Sequence, residues 1–187
     1  MAATGKTELR PHYRRVRKES MPAVQPLLAS AALKALPALV PTGKRLGLYW
    51  PVGSEPDLRE LGEADGSSLR HQLALPVVEQ GQLLYRPWQP GERLSNDSCG
   101  IPAPPDGPLL AASDMALLLV PALALDRQGI RLGSGGGWYD RLRAEPAWRA
   151  VPALAVLPSA CLTKELPSDP WDVPFDGWLD EQGLHWR

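Results

Sequence analysis

The sequence has few of the residues that build metal sites, disulfide frameworks or membrane spans. Its 187 residues include two cysteines, Cys99 and Cys161, and three histidines, His12, His71 and His185. Neither set has the spacing of a metal site, and two isolated cysteines are typical of a reduced, cytoplasmic protein. No apolar run reaches the roughly 20 residues of a membrane helix, and no signal-peptide core begins the chain. We therefore expect a cytoplasmic protein without a membrane partner.

A strong charge of either sign is also missing, because 20 Lys and Arg residues stand against 21 Asp and Glu residues. The net charge of −1 argues against a nucleic-acid partner, since proteins that bind nucleic acid spread basic residues over a surface. Basic residues are nevertheless concentrated near the start of the chain. Helical spacing places four of them on one face, namely Lys6, Arg10, Arg14 and Arg17. This face is either solvated, as most surface charge is, or it binds a small anion such as a nucleotide.

Helix and strand patterns alternate along the chain. Apolar spacing predicts helices over residues 7–20 and 27–36, a third helix from Pro56 to near Gly66, and a short helix from about Tyr139. Continuous or alternating apolar runs predict strands at 45–50, 73–78, 83–88, 115–125 and 151–157, and polar residues predict a surface loop over 89–113. We expect a single α/β domain over 1–187, with a largely parallel central sheet flanked by helices.

A glycine-rich stretch, GIRLGSGGGWYDRL at residues 129–142, follows the most apolar predicted strand. It is not a dinucleotide fingerprint, because the sixth position from Gly133 is Trp138, and Gly5-Lys6-Thr7 is only the tail of a P-loop. In open α/β sheets, ligands bind at the carboxyl ends of strands. The stretch is therefore either a flexible turn or an anion-binding loop whose backbone N–H groups and Arg131 hold phosphate. In the second case, Asp140 is placed to bind the accompanying metal ion.

Three other residues also have two interpretations each. Trp50, at the end of a predicted strand, suits either the core or a ligand contact. Glu55, in PVGSEPDL, suits either a helix start or a ligand contact. Asp176, in DVPFDGW, suits either a turn or a functional site.

Taken together, five stretches resemble the 5-formyltetrahydrofolate cyclo-ligase family, also called methenyltetrahydrofolate synthetases. They are KTELR, YWPVGSEPDL, GIPAP, LLVPALALDRQGIRLGSGGGWYDRL and LPSDPWDVPFDGWL. The resemblance runs along nearly the whole chain, and the long central stretch is its most specific part. It implies a compact α/β layered fold related to the ribose-phosphate isomerase and CoA-transferase group.

The resemblance implies an enzyme that uses ATP and Mg²⁺ to cyclise 5-formyltetrahydrofolate. ATP phosphorylates the formyl oxygen, the second folate nitrogen attacks the activated carbon, and phosphate leaves as the ring closes. The products are 5,10-methenyltetrahydrofolate, ADP and phosphate. Phosphoryl transfer needs positioning and charge neutralisation more than a protein nucleophile, which agrees with the lack of a Ser-His-Asp or Cys-His set in the sequence.

Site residues follow from the resemblance position by position. ATP contacts are implied for Lys6, Thr7, Glu8, Leu9, Arg10, Arg131, Leu132, Gly133, Ser134, Gly135, Gly136, Gly137, Trp138 and Tyr139. Folate contacts are implied for Arg10, Trp50, Glu55, Ser134, Gly135, Gly136, Gly137 and Trp138. Asp140 and Asp176 match the magnesium positions, and Arg131 is the expected catalytic residue.

Three positions depart from the family pattern. Ser134 stands where a larger side chain is usual, Trp138 replaces a common Tyr, and Ala103 replaces the usual Glu of GIPAP. These departures leave one alternative, a non-catalytic folate-binding or regulatory protein on the same fold. In either case we expect a monomer that binds small molecules.

Overall fold

A seven-stranded sheet organises the chain in this computed structural model, which describes residues 5–64 and 66–187. The helices are α1 (Lys6–Ala35), α2 (Glu60–Glu63), α3 (Trp138–Ala144) and α4 (Pro146–Arg149). The strands are β1 (Arg45–Gly47), β2 (Leu73–Glu79), β3 (Gln82–Trp88), β4 (Ser95–Asn96), β5 (Pro102–Ala103), β6 (Met115–Pro121), β7 (Ala124–Asp126), β8 (Arg131–Leu132), β9 (Ala153–Val156), β10 (Leu162–Thr163), β11 (Gly177–Asp180) and β12 (Gly183–Trp186).

The main sheet has the order β12-β11-β9-β6-β1-β2-β3. The five inner strands are parallel, and β3 and β12 pair antiparallel at the two edges. β10, β7 and β8 form a small second sheet, and β4 and β5 form a two-stranded one. The expected α/β fold with a largely parallel central sheet is confirmed. Among the described residues, no helix combines the length and the hydrophobicity needed to cross a bilayer.

Both faces of the sheet are buried, which explains why its strands are continuously apolar. Leu117 and Leu119 of β6 pack on one face together with Leu28 and other residues of α1. Leu118 and Val120 point to the other face and belong to the cluster that holds Leu142 of α3 and Trp148 of α4. Successive side chains of a strand alternate between faces, so a central strand needs apolar residues at every position.

One long helix replaces the two that the sequence predicted over 7–20 and 27–36, so that prediction is wrong. α1 runs without a break through Pro11, Pro22 and Pro26. An interior proline costs a helix about 3 kcal/mol because it removes a donor and crowds the preceding turn. Burial of a Leu side chain such as Leu28 contributes about 1.5–3 kcal/mol. The buried face of α1 extends from Arg17 to Ala32, so tertiary packing outweighs local propensity.

The remaining boundaries differ where elements are short. β1 stops at Gly47, three residues before the predicted end, and α2 has four residues where a helix from Pro56 was expected. The predicted loop over 89–113 contains β4 and β5. β11 and β12 were missed, because a strand of four residues is too short to show a clear hydrophobic period. Their turn is held by Asp180 Oδ1, which accepts hydrogen bonds from the Gln182 and Gly183 N–H groups.

We predict that Gly177→Ala destabilises the fold by about 1–3 kcal/mol, the usual cost of overpacking. A Cβ at Gly177 would collide with the backbone oxygen of His185 on the paired strand β12, which cannot move without disturbing the sheet. Gly47→Ala is the matched comparison, because its Cβ would meet only side-chain atoms, the nearest being Leu118 Cδ2 at 2.7 Å. The free energy of unfolding in urea is measured for the wild type and both variants. A Gly177→Ala protein as stable as the wild type would contradict the prediction.

Candidate functional site

A cavity of about 520 Å³ lies at the carboxyl ends of the parallel strands. Tyr49 and Trp50 line it just after β1, and Pro121 lines it at the end of β6. The glycine loop, defined as residues 133–137, forms another wall, and Lys6 and Arg10 reach the cavity from α1. The structure therefore brings the start of the chain and the glycine loop to one place, at the edge of the sheet where α/β proteins bind ligands.

The glycine loop presents exposed backbone to this cavity. Gly135 has φ 113° and Gly137 has φ 65°, values that side chains other than glycine rarely adopt. In the described part of the chain, the N–H groups of residues 134–136 donate to no backbone or side-chain acceptor. The loop leads directly into α3, as predicted. Three exposed donors next to cationic side chains suit an oxygen-rich anion.

Two arginines are fixed against the loop by backbone carbonyl groups. Arg10 Nε donates to Gly133 O at 3.0 Å. The Arg10 guanidinium carbon also lies 3.7 Å from the point where a side chain at position 135 would place its Cβ. Arg131 Nη1 donates to Pro121 O at 3.1 Å, and its guanidinium carbon lies 5.6 Å from the centroid of the Tyr139 ring and 5.4 Å from that of the Phe175 ring. Both cations are therefore pre-positioned before any ligand binds.

Lys6 is held by two carboxylates that the sequence analysis did not single out. Its Nζ donates to Asp169 Oδ2 at 2.8 Å and also contacts Asp172 Oδ2. Burial would lower the pKa of Lys6, but the hydrogen bonds and charges of Asp169 and Asp172 outweigh burial and raise this pKa. The ammonium group is thus a fixed positive charge at the cavity wall.

Glu55 reaches the cavity from the segment between β1 and α2. Its Oε2 accepts a hydrogen bond from Val52 N at 3.0 Å, and its Oε1 lies 3.9 Å from Arg17 Nη1. Burial raises the pKa of Glu55, whereas the Val52 N–H and the charges of Arg17 and Arg131 oppose the rise. Glu55 does not begin α2, which starts at Glu60.

Trp50 contributes an aromatic wall near Glu55. Its ring meets Trp88 edge to face, with 6.4 Å between centroids, and the Arg59 guanidinium lies 4.3 Å from its centroid. These contacts restrict the rotation of the indole ring. Together, Trp50 and Glu55 give this end of the cavity a flat apolar surface beside a hydrogen-bond acceptor.

The two predicted metal ligands occupy different places. Asp140 lines the cavity, where its Oδ1 lies 3.4 Å from Arg131 Nη2. Asp176 is not among the lining residues; its Oδ2 accepts a hydrogen bond from Ala153 N at 2.8 Å and lies 3.4 Å from Arg143 Nη2. No group of three or more His, Cys, Asp or Glu residues within 5–64 and 66–187 could hold a metal ion. Of the two predicted metal ligands, Asp140 is therefore the one whose carboxylate lines the cavity.

Four predicted ATP contacts do not line the cavity. Thr7 Oγ1 accepts a hydrogen bond from Arg10, and Glu8 Oε2 accepts one from Gly5 N at the start of α1. Leu9 packs against the apolar cluster that contains the fully buried Leu132. These side chains orient α1 and β8, and their contact with ATP stays a prediction.

Several lining residues were missed from the sequence, among them Tyr49, Asp97, Cys99, Asp169, Trp171 and Asp172. Asp169 and Asp172 lie more than 30 residues after the glycine loop, so only the fold brings them to Lys6. A pair of aspartates around a tryptophan, in SDPWD, was the available signal. Cys99 and Cys161 are both free thiols.

The three departures from the family pattern have unequal consequences for the cavity. Ser134 is exposed in the glycine loop, and Trp138 lines the cavity with the Arg141 guanidinium 4.4 Å from its centroid. Ala103 is buried in β5 and does not line the cavity. Ala103 therefore contributes no side chain to the cavity wall.

Comparison with known proteins gives concordant results. Residues 2–180 match the model of the 5-formyltetrahydrofolate cyclo-ligase family. A 5-formyltetrahydrofolate cyclo-ligase of Mycolicibacterium smegmatis is 32% identical over an aligned length of 187 positions, and the alignment covers 92% of each chain. The 5,10-methenyltetrahydrofolate synthetase of Aquifex aeolicus is 29% identical, with a TM-score of 0.74 over 97% of this chain and 92% of that one. A synthetase of Mycoplasma pneumoniae, 18% identical, shares the fold with a TM-score of 0.70 over 95% and 99% of the two chains.

We predict that Glu55→Gln stabilises the ligand-free protein near neutral pH. Burial raises the pKa of Glu55 in the folded state above its value in the unfolded state. Between these two pKa values the folded state binds more protons, so the free energy of unfolding falls as pH rises through this range. Gln stays neutral and can still accept from Val52 N. The gain in Tm over the wild type should therefore grow from about pH 4, where Glu begins to ionise, to neutral pH. A Tm difference that does not change with pH would contradict this.

Proposed function

The chain belongs to the 5-formyltetrahydrofolate cyclo-ligase family, and we propose that it catalyses the ATP-dependent cyclisation of 5-formyltetrahydrofolate to 5,10-methenyltetrahydrofolate. One observation carries the proposal: most of the residues matched to the two substrates line a single cavity. Lys6, Arg10 and the glycine loop lie at its cationic wall, and Trp50 and Glu55 lie at its aromatic end. The γ-phosphoryl group of ATP moves to the formyl oxygen. The second folate nitrogen then attacks the formyl carbon, and the carbon–oxygen bond breaks to release phosphate.

The cationic wall stabilises the transferring phosphoryl group. Arg131 is the proposed catalytic residue, because its guanidinium is immobilised by Pro121 O and two aromatic rings next to the glycine loop. A fixed positive charge stabilises developing negative charge without the cost of reorganisation. Arg10 and the free N–H groups of residues 134–136 position the phosphates.

The aromatic end binds the folate. An ionised Glu55 accepts hydrogen bonds from the amino and ring N–H donors of the pterin, because a carboxylate has only acceptor oxygens. Trp50 stacks against the flat ring system. The exposed glycine loop brings the phosphate close to the formyl group, since no side chain separates the backbone from either substrate at residues 135–137.

Magnesium fits the cavity through Asp140. Mg²⁺ is commonly held by one or two carboxylates together with substrate phosphates, and Asp140 is a half-buried carboxylate beside the proposed phosphate wall. Bound there, Mg²⁺ supplies charge neutralisation for the phosphates. Asp176, the other predicted ligand, is not part of this proposed magnesium site, because it does not line the cavity and contacts Ala153 N and Arg143 instead.

We propose that residues 1–187 form one domain that acts as a cytoplasmic monomer on two small molecules, without nucleic acid or membrane. A net charge of −1 supports the absence of a nucleic-acid partner.

Purified protein mixed with 5-formyltetrahydrofolate, ATP and Mg²⁺ tests the proposal by the absorbance of the methenyl product. We expect product and ADP in equal amounts. Folate binding by calorimetry without ADP release would instead favour a non-catalytic folate-binding protein. Folded protein that neither binds the folate nor forms product would overturn both functions.

We predict that Arg10→Ala raises the KM for ATP roughly ten- to hundredfold, because a charge-assisted hydrogen bond contributes about 1.5–3 kcal/mol. The KM for folate should change much less. Arg15→Ala, an exposed arginine on the same helix, is the matched control and should behave like the wild type. An unchanged KM for ATP in Arg10→Ala would contradict the proposed ATP contact and leave Arg10 with a structural role, its hydrogen bond to Gly133 O.

We predict that Asp140→Asn shifts the magnesium dependence of turnover to higher concentration. Turnover itself should fall by a factor on the order of a hundred, as when other groups that stabilise transition-state charge are removed. Folate binding, measured by calorimetry without ATP, should survive. The same titration on Asp176→Asn is the comparison, and we expect no shift there. If the magnesium dependence shifted in Asp176→Asn but not in Asp140→Asn, Asp176 would be the magnesium ligand and Asp140 would not.

A further inference from the structure

Arg17 is a buried cation that the proposed mechanism does not use. It lies on α1 with its side chain 5% exposed and does not line the cavity. Its Nε donates to Ser54 Oγ at 3.2 Å, and its Nη1 donates to Ala122 O at 3.1 Å. The same Nη1 lies 3.9 Å from Glu55 Oε1. One guanidinium therefore joins α1, the end of β6 and the segment that carries Glu55.

The position of Arg17 on α1 accounts for this reach. Arg17 follows Arg10 by seven residues, or two helical turns, so both side chains leave the same face of the helix. Arg10 ends on the glycine loop, whereas Arg17 ends behind Glu55. Arg14, between them, is exposed. The basic face of α1 thus supplies one arginine to the glycine loop and another to the residues behind Glu55.

We propose that Arg17 is a positioning residue for the folate: it holds the Glu55 carboxylate in place and in its anionic form, although it does not touch the substrate itself. This inference rests on the proposed function, in which Glu55 binds the pterin. An anionic, fixed Glu55 selects a ligand with paired N–H donors. A protonated or rotated Glu55 loses that selectivity, because a neutral carboxyl group adds a donor of its own.

The surroundings of Glu55 show why a nearby cation is needed. The charged and titratable groups that act on it are Arg17 from α1, Arg131 from β8, Tyr139 from α3 and Tyr49 after β1. Both tyrosines are neutral, because burial raises their pKa further. Arg131 already pairs with Asp140. Burial favours the protonated carboxyl group, so removing Arg17 leaves Glu55 with weaker compensation.

A double-mutant cycle on folate binding tests the proposal. The affinity for 5-formyltetrahydrofolate is measured by calorimetry without ATP for the wild type, Arg17→Met, Glu55→Gln and the double variant. An opposite charge at this distance shifts a carboxyl pKa by about one unit or more. We therefore expect Arg17→Met to weaken binding in the wild-type background by up to roughly tenfold at acidic pH, where the ionised fraction of Glu55 differs most between the two proteins, but by less than about twofold in the Glu55→Gln background. Arg15→Met is the matched control and should bind like the wild type.

The pH dependence of binding separates positioning from simple structural support. As pH falls, affinity should decline with protonation of Glu55, and this decline should begin at higher pH in Arg17→Met. Arg17→Lys keeps the charge on one ammonium group and should leave the decline where it is. If the Met variant does not fold, Arg17→Gln replaces it in the cycle, because an amide removes the charge but keeps N–H donors. Equal losses in both backgrounds would overturn the role of Arg17. A folded wild type that does not bind the folate would overturn the proposed function as well.

Discussion

Backbone carbonyl groups at the carboxyl end of the sheet fix the arginines of the cavity, and the rest of the site depends on this constraint. Pro121 O binds Arg131, Ala122 O binds Arg17, and Gly133 O binds Arg10. Buried carbonyl groups need donors, and a guanidinium has five, so each arginine satisfies the backbone and keeps donors for another partner. The backbone carbonyl groups at these positions thus determine where the guanidinium groups lie.

Backbone groups also fix carboxylates of the cavity. Glu55 accepts from Val52 N, and Asp97 accepts from the N–H groups of Val78, Cys99 and Ile101. An unpaired buried charge costs several kcal/mol, which explains why the charged groups of the cavity already have polar partners within the protein. Substrates compete with these partners, and binding is an exchange of partners.

Long apolar strands and the glycine loop could be predicted from the sequence, because periodicity and composition are local properties. The hairpin of β2 and β3 was expected for the same reason, and its turn at Gln80 and Gly81 has both residues in the left-handed region. The continuity of α1 could not be predicted, since burial against the sheet decides it. The contact of Lys6 with Asp169 and Asp172 depends on residues more than 160 positions apart, which no local pattern encodes.

Lys6 shows what this exchange requires of ATP. An ammonium group has three donors, and two of them contact Asp169 and Asp172. A phosphate oxygen that takes the third donor brings negative charge next to two carboxylates, and like charges a few ångströms apart repel strongly where water is scarce. Under the proposed function, we therefore expect a triphosphate to bind Lys6 best when the two carboxylates move away. Because they belong to the segment that carries the exposed Trp171, we also expect ATP bound at Lys6 to act on the wall formed by residues 169–172.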